Sequence, residues 1–169
     1  RSGRRWASHD EAAPTRPSGR RESRPSALIT LDRAHLLPAI VFIFSRAGCD
    51  DAVSSVLASG IVLTSRGEAA RIRDVVDEAI STIPAEDHAV LGVQRWAQAL
   101  ERGIAAHHAG LLPVIKETVE KLFTQGLVKV VYATETLALG INMPARTVVI
   151  ESLTKWNGVG HVQLSAGEY

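Results

Sequence analysis

Two apolar runs constrain this chain more than anything else in it. Ala39 to Phe44 is a continuous run of strand-forming residues, and Leu127 to Ala133 is a second, broken only by Lys129. Runs of this kind read as strands buried on both faces, which occur where helices cover both sides of a mostly parallel sheet. The intervening segments supply the helices. Asp50 to Ala58 reads as a helix closed by Gly60. Ser65-Arg66-Gly67-Glu68 is a capping-box pattern. It opens a helical stripe of Ala69, Ile72, Val75, Val76, Ala79, Ile80 and Ile83, which Pro84 stops. His88 to Arg102 reads as a further helix with Leu91, Trp96, Ala99 and Leu100 as its apolar positions, and Gly103 to Ala106 as a short strand. Pro113 suits the first turn of a helix whose buried face is Val114, Ile115, Val119, Leu122 and Phe123, with Gly126 at its C-cap. Strands are expected over Val128–Ala133 and Thr147–Glu151. Strand, helix and strand in alternation imply right-handed crossovers and an α/β fold. Asn157-Gly158, between short strand-like stretches, is a hairpin-turn signal.

At 169 residues the chain is long enough for one ordinary domain and too short for two. Residues 1–26 hold seven Arg, three Pro and almost no large apolar residue except Trp6. Such a stretch cannot bury enough surface to fold and reads as a disordered basic linker, a basic arm on nucleic acid being the sharper alternative. The net charge of +1 conceals an asymmetry. Residues 1–24 carry seven Arg against Asp10, Glu11 and Glu22, a balance of +4, while the rest carry twelve Lys plus Arg against fifteen acids, a balance of −3. Any nucleic-acid contact in the folded part is therefore local, not a uniformly basic surface. No apolar run approaches the ~18 residues of a membrane span. The arginine-rich start is not followed by the apolar stretch of a secretory signal. Cys49, the only cysteine, excludes an internal disulfide and fits a reducing cytosol, so a cytoplasmic location is expected.

Chemistry concentrates after the second apolar run, in Thr134-Glu135-Thr136-Leu137-Ala138-Leu139-Gly140-Ile141-Asn142-Met143-Pro144-Ala145. Two hydroxyls, a glycine and an amide sit where a buried strand should end, and open α/β sheets bind ligands at the carboxyl ends of their strands. A hydroxyl can donate to a phosphate oxygen, and a glycine allows close backbone approach. A strand-to-helix turn with a polar cap fits the same spacing, and the spacing alone leaves both readings open.

This stretch resembles motif V of superfamily 2 helicases, in the form carried by the Ski-like DExH group. His107-His108-Ala109-Gly110-Leu111-Leu112-Pro113 resembles the histidine-glycine block that precedes motif V there. Pro38 to Asp50, with Phe42-Ile43-Phe44-Ser45-Arg46, resembles motif IV, and Lys155-Trp156-Asn157-Gly158 a signature just after motif V. Four blocks in the right order cover residues 36–158, and the Arg- and Ala-rich composition points to an actinobacterial, HelY-like branch. The resemblance implies a RecA-like, three-layer α/β/α architecture over residues 27–169, the second of a helicase's two RecA-like domains, incomplete at its C-terminal end. It implies that Thr134, with Thr136 nearby, and Ser45 and Arg46 bind backbone phosphates of a single strand of RNA or DNA. His108 and Gly110 would line the same track, with Lys116 a phosphate neighbour. Gly140 and Asn142 would face the cleft between domains and touch the nucleotide, and the hairpin would help part the strands.

What the chain lacks is equally informative. An ATP-driven motor needs a phosphate-binding loop with a lysine, and no Gly-Lys pair exists; the first lysine is Lys116. Asp77-Glu78-Ala79 imitates a DExH box, but it lies inside an amphipathic helical pattern where no strand ends. The arginine-rich motif VI, whose finger stabilises transition-state charge, is not present either. ATP and Mg2+ would be bound mainly by a first RecA-like domain of the same parent chain, and the expectation is a piece of a longer protein that stops short of motif VI. The chain by itself is expected to hydrolyse ATP no faster than background, and robust turnover would overturn that assignment. A non-catalytic binding or regulatory module on the same fold is the rival reading. A Rossmann-type enzyme lacks its Gly-x-Gly-x-x-Gly loop. His107-His108 does not suit zinc, because adjacent residues of a strand point to opposite faces. Cys49 has no base paired with it in sequence.

Overall fold

The structure, a computed structural model, describes residues 22–138, 142–151, 154–156 and 161–163. Four parallel strands form one sheet: β1 (Ala39–Phe42), β2 (Ile104–His107), β3 (Val130–Ala133) and β4 (Thr147–Ile150), in the spatial order β2-β3-β1-β4. Their register is level across the sheet. Phe42 lies beside Ala133 on one side and Ile150 on the other, and Ala133 lies beside His107. The strand ends therefore emerge side by side along a single edge.

Among the described residues five α-helices surround the sheet: α1 (Arg24–Arg33), α2 (Arg46–Ala58), α3 (Arg66–Ile80), α4 (Val93–Glu101) and α5 (Pro113–Thr124). Alternation along the strands sorts them into layers. Val41, Ile43, Ile104, Val130 and Tyr132 face α1 and α2, packing on Leu28, Cys49, Ala52, Val53 and Val56. Ile40, Ala105, Val131 and Ala133 face the other way, onto Ile72 and Val76 of α3 and Val119, Leu122 and Phe123 of α5. α4 runs beside β2 and contributes to both cores, Ala99 to one and Leu100 to the other. This is the mostly parallel three-layer RecA-like arrangement that the apolar runs and the resemblance led us to expect.

Local details follow from the sequence. The capping box forms: Ser65 Oγ accepts from Glu68 N–H, and Glu68 Oε2 accepts from Ser65 N–H. Glu68 also accepts from Lys129 Nζ at 2.8 Å, which joins the start of α3 to the lead-in of β3 and holds the Glu68 carboxyl below its ordinary range. Three boundaries differ from expectation. α1 begins at Arg24, inside the stretch 1–26 read as linker, with Ser23 as its cap and Pro25 in its first turn. Arg24 makes a two-pronged pair with Glu151 at 3.0 and 2.8 Å, pinning α1 to the end of β4. α2 begins at Arg46, a full turn before Asp50, because Ser45 caps it. α4 begins at Val93, not His88, since Gly92 takes a left-handed conformation (φ 63°) that breaks the segment. Beyond β4, β5 (Thr154–Trp156) and β6 (His161–Gln163) pair antiparallel, as a hairpin requires. The turn residues Asn157 and Gly158 lie outside the described residues. No helix among the described residues is long and apolar enough to cross a membrane.

Candidate nucleic-acid interface

The level register gathers three loops at one edge of the sheet. Ile43 to Arg46 leaves β1, His108 to Gly110 leaves β2, and Thr134 to Thr136 leaves β3. Backbone hydrogen bonds continue the ladder past the strand ends: Ile43 N–H donates to Ala133 O at 2.9 Å, and Thr134 N–H to His107 O at 3.2 Å.

Ser45 and Arg46 form the start of α2. Ser45 Oγ accepts from Gly48 N–H at 2.9 Å, which caps the helix but leaves the hydroxyl proton free to be donated elsewhere. Arg46 is exposed, its helix carries no acid in the first turn, and it has no ion pair among the described residues. The helix N-terminus adds its own partial positive charge next to this arginine, a combination suited to an anion. Gly48 is what allows this start. A Cβ there would stand 2.6 Å from Ser45 Oγ and 2.7 Å from Ile43 Cγ2, closer than real Cβ contacts. Gly48→Ala is therefore expected to destabilise the domain by about 1–3 kcal/mol, read as a lower urea midpoint. An unchanged midpoint would show that the cap can rearrange.

The two histidines diverge. His107, on the face of β2 turned to α5, donates from Nε2 to Glu120 Oε1 at 2.7 Å, since the carboxylate can only accept. Its Nδ1 is buried with no partner among the described residues. His108 turns to α2, where Nε2 lies 3.1 Å from Asp50 Oδ1, while Nδ1 accepts from Gly110 N–H at 3.2 Å. That bond places the ring proton on Nε2, which donates it to Asp50. The opposed directions rule out joint metal ligation by the pair, and among the described residues no group of three or more His, Cys, Asp or Glu could hold a metal ion.

Thr134 is buried beside exposed Thr136, and the two hydroxyl oxygens lie 3.0 Å apart. One proton is used between them and the other remains available to an external acceptor. Ser45, Arg46, His108, Gly110, Thr134 and Thr136 thus share one edge. Lys116 lies in the first turn of α5, on the opposite face of the sheet from α2, four residues before Glu120, which meets His107 at the end of β2. Asn142 is exposed beyond β3, next to buried Met143, and Gly140 lies outside the described residues. Asp77 and Glu78 sit on the exposed face of α3, a solvated helix side and no DExH box. Burial pushes the Cys49 thiol up to about 12, so no thiolate nucleophile exists at neutral pH.

Asp50 and Glu120 carry no signal of their own in the sequence. They lie 58 and 13 residues from their histidines, and only the fold brings them together.

Residues 81–166, just over half of the chain, match the family model described as helicase conserved C-terminal domain. The chain belongs to this helicase family. The helicase domain is 57% identical over 154 residues to the "Probable helicase HelY" of Mycobacterium tuberculosis, a match covering 91% of this chain and 17% of that protein. It is 45% identical over 139 residues to the "DExH-box ATP-dependent RNA helicase DExH11" of Arabidopsis thaliana, covering 82% and 10%. It is 40% identical over 159 residues to human "Superkiller complex protein 2", covering 92% and 13%. The domain therefore spans less than a fifth of the length of these relatives.

Proposed function

We propose that this domain is the second RecA-like lobe of an ATP-dependent helicase, and that its sheet edge grips the backbone of a single nucleic-acid strand, RNA in particular. The observation that carries this reading is the convergence of Arg46, Ser45, Thr134 and Thr136, from two separate motifs, on one edge with donors to spare. Contacts of this kind go to phosphate and carry little sequence information. RNA is favoured because the Arabidopsis relative bears that substrate in its name. Asn142, exposed past β3, would meet the nucleotide's ribose or phosphates together with Gly140. ATP and Mg2+ would be held mainly by a first RecA-like lobe of the same protein. ATP supplies the energy for lobe closure; the residues of this lobe hold phosphates while the lobes shift.

Thr134→Ala in the full-length protein tests the reading. The hydroxyl's bond to Thr136 is worth about 0.5–1.5 kcal/mol, so the fold should survive its removal. RNA-stimulated ATPase should fall roughly tenfold, the effect of deleting one phosphate contact of about 1.4 kcal/mol. Unchanged stimulation would remove Thr134 from the track.

A further inference from the structure

Arg46 and Asp50 stand four residues apart on α2, the spacing at which a basic and an acidic side chain meet on one helical face. They do not pair. Asp50 instead receives the Nε2 proton of His108 at 3.1 Å, and Arg46 has no ion pair among the described residues. His108 is well fixed for this task. Its ring is buried, and Gly110 N–H binds the other nitrogen at 3.2 Å, so the ring cannot swing away without losing both bonds. Gly110 closes the arrangement. A Cβ at this position would stand 3.1 and 3.2 Å from the His108 ring and 3.4 Å from Arg46 Cδ, so a side chain here would crowd both the ring and the arginine arm. With both nitrogens engaged inside the domain, the His108 ring has no donor to spare for a phosphate.

We propose that His108 is a positioning residue: by holding Asp50, it keeps the Arg46 guanidinium unpaired and open to a backbone phosphate. This rests on the reading of Arg46 as a phosphate contact. Freed from His108, Asp50 would pair with Arg46 along the helix. Exposed pairs at this spacing are weak, so the competition should reduce strand affinity about twofold, in addition to whatever the loosened turn costs.

The test is a double-mutant cycle in the full-length protein, with affinity for a fluorescein-labelled single-stranded oligouridylate measured by anisotropy at fixed salt. Asp50→Asn keeps an acceptor for the His108 proton and removes only the charge, so in the wild-type background it should change affinity little. His108→Ala should weaken binding. Asp50→Asn in the His108→Ala background should recover about twofold more affinity than it yields in the wild-type background. An equal gain in both backgrounds would reflect simple loss of a negative charge near the strand, and would overturn the proposal while leaving the role of Arg46 intact. Arg46→Ala is the control that separates the two: if it binds as tightly as wild type, the phosphate reading of Arg46 fails and the proposal falls with it. Should His108→Ala not fold, His108→Leu fills most of the ring's volume without donor or acceptor, and the same cycle and the same outcomes apply.

Discussion

Replacing Arg46 by alanine is expected to weaken single-strand binding about tenfold and to flatten its salt dependence. A charge-assisted contact to phosphate is worth roughly 1.5–3 kcal/mol, of which the exposed position retains the lower part. Each phosphate neutralised contributes about 0.7 to the slope of log affinity against log salt for single strands, so the substitution should lower the slope by about that amount. The side chain is exposed and in no ion pair among the described residues, so its removal should shift folding stability by less than about 0.5 kcal/mol. Arg46→Lys should recover part of the affinity, because an ammonium keeps the charge but loses the planar fork. Anisotropy titrations at several salt concentrations read both effects. An unaltered slope would mean that Arg46 touches no phosphate.

The second large effect is on stability and should leave the interface residues untouched. Phe123 is fully buried on α5, within the cluster that joins α3 and α5 to the sheet. Phe123→Ala removes most of a ring from a packed interior and is expected to cost about 3–5 kcal/mol. Domains of this kind are typically stable by about 5–15 kcal/mol, so the variant should sit near the edge of unfolding. Urea unfolding followed by tryptophan fluorescence should show a much lower midpoint with an unchanged slope. A decrease below about 1 kcal/mol would mean that the α5 layer is not packed on the sheet as described.

The strands and the layer order were legible because they depend on local pattern. Ala39–Phe42 and Val130–Ala133 announced themselves by continuous apolar residues, and Pro113 marked the start of α5 where it falls. Ser65 and Glu68 announced their capping box for the same reason, since both partners lie within one turn. Misjudged boundaries came from glycines. Gly48 lies within the first turn of α2, before the expected start at Asp50, and is the residue that makes room for the Ser45 cap. Gly92 was absorbed into a helix whose start it in fact sets. The cap at Ser23 and the pairing of Arg24 with Glu151, 127 residues away, turned the end of an arginine-rich stretch into helix α1. The site residues could be named from the motifs, but their division of labour could not. Nothing in the sequence around His108 indicates that both ring nitrogens are committed, because one partner lies 58 residues distant.

The most direct measurement is backbone hydrogen–deuterium exchange of the protein with and without single-stranded RNA. Contact along the strand-end edge should slow exchange in three segments distant in sequence, residues 45–49, 108–112 and 134–137, while α3 and the outer strand β4 stay unchanged. Protection confined to other surfaces, or the absence of any change under conditions where binding is saturated, would contradict the assignment of this edge as the nucleic-acid track.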